Sequence, residues 1–186
     1  MRPVVVQVYD YSLDGIIGEE GTEFFDYCRA VPDDPEDEAW TAACLARAGT
    51  HLVGRVTYEG MARHFPTATG PIADAMNAIP KVVFSRTLRE SDWPQTTFVS
   101  GDMAAEIDKL RREDGDGGEI LAHGGVSLVR ELARLDLADE YRLTVFPYLA
   151  GTGQRLFADL GAARRLKLAE SKTFANGVVA LTYRRS

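Results

Sequence analysis

Strand-like runs and helical stretches alternate along most of this chain, and that order constrains the fold more than any other feature. Val4–Tyr11, His51–Gly54, Lys81–Phe84, Thr97–Val99 and Glu119–Ala122 are short and rich in β-branched or apolar residues, which predicts strands. Helical sequence lies between most of them. Pro35–Leu45 opens on Asp34 as a capping residue with Pro35 at the first helical position, and ends near Gly49 as a cap. Arg55–His64 and Ile72–Ala78 also predict helix, as do 102–112, capped by Ser100, and Ser127–Leu135. Phe24–Ala30 reads as a short helix or an irregular turn. After residue 139 the pattern changes to strands alone: Glu140–Pro147, Arg165–Phe174 and Val178–Arg184, the last two joined at Asn176-Gly177. Strands separated by crossover helices pair in parallel, so the order predicts an α/β domain: a mostly parallel sheet with an antiparallel C-terminal hairpin. No repeat or linker divides the 186 residues, which suits one domain.

Composition narrows the partners. The formal net charge of −7 offers no general basic footprint, so neither nucleic acid nor an anionic membrane is expected. Such a chain can still hold an anionic cofactor by gathering a few basic groups locally. The two cysteines, Cys28 and Cys44, form no metal-ligand spacing with His51, His64 and His123, so two reduced thiols and no metal are expected. No apolar run approaches a membrane span and no leader is visible, which places the expected compartment in the cytoplasm.

Three strand ends share a character. At Gly54-Arg55-Val56-Thr57 a strand meets a helix start, where backbone N–H groups favour phosphate and Arg55 and Thr57 add a charge and a hydroxyl. An ordinary glycine turn explains that segment equally well. Ser85-Arg86 suits a phosphate monoester such as the 2′-phosphate of NADPH, although a surface arginine beside a turn is the plainer reading. His123-Gly124-Gly125-Val126-Ser127 joins a strand to a helix through paired glycines that allow close approach of a ligand, with His123 read as a packed or solvent-facing side chain. Ligands of open α/β sheets sit beyond the carboxyl ends of parallel strands, and all three segments fall there. No Gly-x-Gly-x-x-Gly follows the first strand, so the Rossmann pattern is absent.

Taken in order, Ser12-Leu13-Asp14-Gly15-Ile16-Ile17-Gly18, Gly54-Arg55-Val56-Thr57-Tyr58-Glu59, Phe84-Ser85-Arg86 and His123-Gly124-Gly125-Val126 resemble the dihydrofolate reductase-like superfamily. The closer likeness is to the reductase domain of the bacterial riboflavin-biosynthesis deaminase–reductase. Asp139-Glu140 with Pro147, Gly151-Thr152-Gly153 and Leu156-Phe157 belong to that likeness. The resemblance implies a three-layer fold and an NADPH-dependent reductase acting on a small heterocycle. It implies that Gly54, Arg55 and Thr57 hold phosphates, that Ser85 and Arg86 hold the 2′-phosphate end, and that Gly124, Gly125, Val126 and Ser127 line the pyrophosphate and nicotinamide. Backbone groups at Ile17 would meet the carboxamide. Asp14 is placed near the substrate mouth, where an Asp-Gly turn explains it as well. Asp26 is the nearest match to the acidic residue of folate reductases, with a surface aspartate as the plainer alternative. No proton donor can be assigned. The resemblance also implies a homodimer. Dihydrofolate reductase itself, or an NADPH-binding protein without hydride transfer, are the competing expectations.

Overall fold

A computed structural model of the protein describes residues 1–113, 117–123 and 125–186. The strands are β1 (Val4–Ser12), β2 (Ala48–Gly54), β3 (Lys81–Phe84), β4 (Thr96–Val99), β5 (Glu119–His123), β6 (Glu140–Phe146), β7 (Leu166–Thr173) and β8 (Val179–Arg185). The helices are α1 (Glu23–Ala30), α2 (Pro35–Leu45), α3 (Arg55–His64), α4 (Pro71–Ala78), α5 (Met103–Arg112) and α6 (Val126–Arg134). All strands join one sheet in the order β4-β3-β2-β5-β1-β6-β8-β7. The run from β4 to β6 is parallel, and β8 pairs antiparallel with both β6 and β7. The expected three-layer α/β fold with its antiparallel C-terminal pair is the one observed.

The period-2 alternation of β1 explains the layers. Val4, Val6 and Val8 face α5 and α6, where they pack with Ile107, Leu110, Leu128, Val129 and Leu132. Val5 faces the other way, into a cluster with Leu45, Tyr58, Met76 and Trp93. On that second face a further cluster, Phe24, Cys28, Trp40 and Cys44, packs α1 and α2 on Phe146, Phe174 and Ala180. Each fully buried aliphatic side chain stabilises the fold by roughly 1.5–3 kcal/mol. At the amino-terminal edge of the strands, Arg142 is buried with Nη1 and Nη2 donating to Glu119 at 2.7 and 2.8 Å. Its Nε donates to Glu140 at 2.6 Å, and Arg184 reaches the other Glu140 oxygen at 2.7 Å.

Two local expectations are corrected. Gly49 does not cap α2, whose C-cap is Ala46, but lies inside β2. A Cβ there would stand 1.3 Å from the Gly117 carbonyl oxygen, so close backbone approach explains the glycine. The cap of α5 is Asp102, whose side chain accepts from Ala105 N–H, and not Ser100. The segment left open between helix and turn is helix α1, capped by Thr22. No helix of the described residues is long and apolar enough to cross a membrane.

Candidate active site

The parallel strands end side by side, which gathers their loops on one edge of the sheet. Gly54 stands opposite Phe84 in the β2–β3 register, so Ser85-Arg86 emerges one strand away from the start of α3. Leu52 stands opposite Ala122, which brings the end of β5 to the other side of Gly54. Helices α3 and α6 both begin on this edge, and neither start is closed by a side-chain cap. Their first N–H groups therefore remain available to an anion.

Gly125, with φ of 80°, lets these two starts touch. A Cβ on it would lie 3.1 Å from Thr57 Oγ1 and 3.7 Å from Gly54 N. Gly54, Thr57 and Gly125 thus form one cradle, with Val126 and the exposed Ser127 on the first turn of α6. Gly124 lies outside the described residues. Arg55 is exposed and points along α3 to Glu59, 2.9 Å away, so it must leave that partner to meet a phosphate in the cradle. Ser85 is buried and its oxygen accepts from the N–H groups of Thr87 and Leu88, shaping the turn that presents Arg86. Arg86 is exposed and has no acidic partner among the described residues.

The β1 turn is clamped. Asp14 accepts from Ser12 Oγ at 2.6 Å and from the N–H groups of Ala150 and Gly151 at 3.0 and 2.8 Å. The Ser12 hydrogen bond, then those N–H groups, hold its carboxyl down to about 2, so it stays an anion that ties the turn to the glycine-rich loop. Ile17 donates its N–H to the Gln154 carbonyl, 3.0 Å away. Asp26 is exposed on α1.

The carboxyls that the structure raises are Asp10 and Asp37. Burial raises Asp10, partly offset by its ion pair with Arg29. Burial and neighbouring Asp34 raise Asp37 on α2, whose charge also reaches the Tyr9 phenol. Next to them lies a polar row in the sheet. Tyr9 packs tilted against His123, ring centroids 4.6 Å apart, and accepts from Gln7 Nε2 at 2.8 Å. His123 packs tilted against His51, with centroids 5.0 Å apart. Gln7 Oε1, both His51 nitrogens, His123 Nδ1 and Thr144 Oγ1 are enclosed without a hydrogen-bond partner. The readable signal was polar residues at the alternate positions of strands otherwise built from valine and leucine. A surface depression of about 470 Å³ on α5, lined by Ala105, Asp108, Lys109, Arg112 and Glu113, belongs to neither feature.

The family model described as the RibD C-terminal domain matches residues 3–180. A Bacillus subtilis (strain 168) protein, YyaP, is 31% identical over 177 residues, covering 92% of this chain and 89% of its own length. A crystal structure from Shewanella sp. PV-4, assigned by name to riboflavin biosynthesis, superposes with a TM-score of 0.80 at 24% identity and 99% coverage of both chains. The Thermotoga maritima diaminohydroxyphosphoribosylaminopyrimidine deaminase/5-amino-6-(5-phosphoribosylamino)uracil reductase gives a TM-score of 0.66 at 18% identity. All of this chain aligns there with 57% of that longer one.

Proposed function

This chain belongs to the RibD C-terminal domain family, and from that membership we propose that it is an NADPH-dependent reductase of a small heterocycle of the ribosylaminopyrimidine type. The observation that carries the reading is the cradle of Gly54, Thr57 and Gly125, where two uncapped helix starts meet with no side chain between them. The residues present fit a dinucleotide phosphate: N–H donors and the Thr57 hydroxyl at the cradle, and Arg86, with no acidic partner among the described residues, one strand away for a second phosphate. When bound, the nicotinamide supplies the hydride chemistry. The protein orients the two reactants and keeps water from between them.

The test is binding before turnover. NADPH titrated into the protein is expected to saturate a single site, and Gly125→Val, which fills the cradle, is expected to weaken it by at least about tenfold, with circular dichroism checking that the variant, strained at its positive φ, still folds. NADPH oxidation with 5-amino-6-(5-phosphoribosylamino)uracil then tests the acceptor. No NADPH binding at any concentration overturns the reading. NADPH binding without turnover across a heterocycle panel favours a binding protein instead. The competing enzyme reading is a folate acceptor. Faster NADPH oxidation with dihydrofolate than with the pyrimidine decides for that alternative.

A further inference from the structure

Lys81, His51 and His123 occupy three neighbouring strands on one face of the sheet, and phosphate binding uses none of them. Lys81 stands opposite His51 in the β2–β3 register. His51 and His123 hold their ring centroids 5.0 Å apart. At the outer end, Lys81 Nζ donates to the Asn77 carbonyl at 2.8 Å and to the carbonyl of exposed Pro94 at 3.4 Å, and it lies 4.3 Å from the Trp93 ring centroid. At the inner end, His123 is the last residue of β5, on the edge that carries the cradle. His51 is fully enclosed with both nitrogens unpartnered, and His123 Nδ1 is likewise enclosed and unpartnered among the described residues.

Orphaned buried polar atoms of this kind cost about 1–3 kcal/mol each, and a cluster of them calls for a role or a bound water. Burial holds His123 down at about 4, and burial with repulsion from His123 and Lys81 holds His51 well below its ordinary value. Burial draws the Lys81 ammonium down to about 8. Tyr9 packs against His123 from β1 with its hydroxyl turned to Gln7, and no carboxylate acts on either imidazole. The row therefore holds one labile positive charge at neutral pH, on Lys81, behind two neutral rings.

We propose that Lys81, His51 and His123 form a proton-supply row for the reductase, with His123 as the catalytic donor and His51 and Lys81 as positioning residues that reload it. The inference rests on the reductase reading above. In the step it serves, the substrate carbon of a C=N or C=O group gains a hydride with its electron pair, and the π pair moves to the heteroatom. That heteroatom takes the proton from His123 Nε2. His123 Nδ1 takes a proton from His51, His51 takes one from the Lys81 ammonium, and neutral Lys81 recovers one from water at its outer end. No hydrogen bond joins the three side chains among the described residues, so each transfer requires a bridging water or a ring rotation.

The experiment is the pH dependence of NADPH oxidation with 5-amino-6-(5-phosphoribosylamino)uracil, together with ring-nitrogen NMR of the cofactor-free protein. Wild-type kcat is expected to fall above about pH 8, where Lys81 loses its proton. Lys81→Met and His51→Leu are expected to lower kcat by roughly 10²-fold, with KM and NADPH affinity within about twofold of wild type. Both should lose the alkaline limb. Lys81→Arg, which keeps the charge and the packing, should lose that limb too, so the inference stays testable if the methionine variant does not fold. In the NMR spectra, the His51 and His123 nitrogens should respond to the Lys81 titration and stop responding in Lys81→Met. Turnover with unchanged kcat and pH profile in these variants overturns the row alone. Absence of NADPH binding by the wild type overturns the reductase reading and the row with it. Should the uracil not turn over, ring nitrogens blind to Lys81 still sink the row.

Discussion

At the scale of single residues, the site divides into groups already paired and groups left waiting. Asp14 and Ser85 spend their oxygens on N–H groups of the protein, and Arg55 is paired with Glu59. Arg86 has no such commitment among the described residues. If it grips the 2′-phosphate, Arg86→Ala should weaken NADPH by roughly 10- to 100-fold, as a charge-assisted contact requires, and leave NADH almost unchanged. Parallel titrations of both cofactors measure this, and equal losses would remove Arg86 from the site. The histidines make a different prediction, about stability. His123 is held near 4, below the ordinary value of about 6.5 that it takes on unfolding. Between those values the unfolded chain binds more protons, so stability falls as pH drops from about 6.5 toward 4, by up to about 3 kcal/mol for this residue. His51 adds loss in the same direction. Urea unfolding at a series of pH values should show that slope in the wild type and a shallower one in His51→Leu.

Elements carry the next level, and their ends were the part most open to reading. Asp34 was legible as the cap of α2, and its carboxylate accepts from Glu36 and Asp37 N–H groups as expected. What the sequence did not reveal is that the other oxygen accepts from Ala175 N–H at 2.7 Å, which ties α2 to the C-terminal hairpin. Asp34→Ala should therefore lower the melting temperature by more than an ordinary cap loss, about 5–10 °C, and loosen residues around Phe174 in hydrogen exchange. The caps misread at Gly49 and Ser100 have different causes. Gly49 answers to the Gly117 carbonyl of another segment, and Asp102 stands closer to the helix start than Ser100 does. Gly49→Ala, which forces a Cβ onto that carbonyl, should prevent stable folding.

At the scale of the molecule, the sheet is tied together across its interior strands and open at one edge. Arg142 joins β5, β6 and, through Glu140, Arg184 of β8. Burial alone would lower its pKa, but hydrogen bonding to Glu119 and the charges of Glu119 and Glu140 more than offset that. Arg142→Ala strands buried carboxylates and should cost roughly 3–5 kcal/mol in denaturant unfolding. Strand β7 forms an edge of the sheet and is exposed along nearly its whole length, with Leu166 41% and Leu168 49% exposed. An uncovered edge strand with exposed leucines invites pairing with a second copy. Sedimentation should show a dimer that Leu168→Lys shifts toward monomer, and a wild type that stays monomeric at all concentrations counts against that pairing.

The sequence by itself determined the order of strands and helices, the parallel-to-antiparallel change near residue 140, and the segments that reach the functional edge. Those features follow from periodicity, capping and turn chemistry, which act over a few residues. Only the tertiary structure decided that Thr57 meets Gly125, that Asp26 faces solvent while Asp37 is raised by burial, and that Lys81, His51 and His123 line up across three strands. These groups come together through strand register and through desolvation by helices packed from elsewhere in the chain, and neither is a property of local sequence.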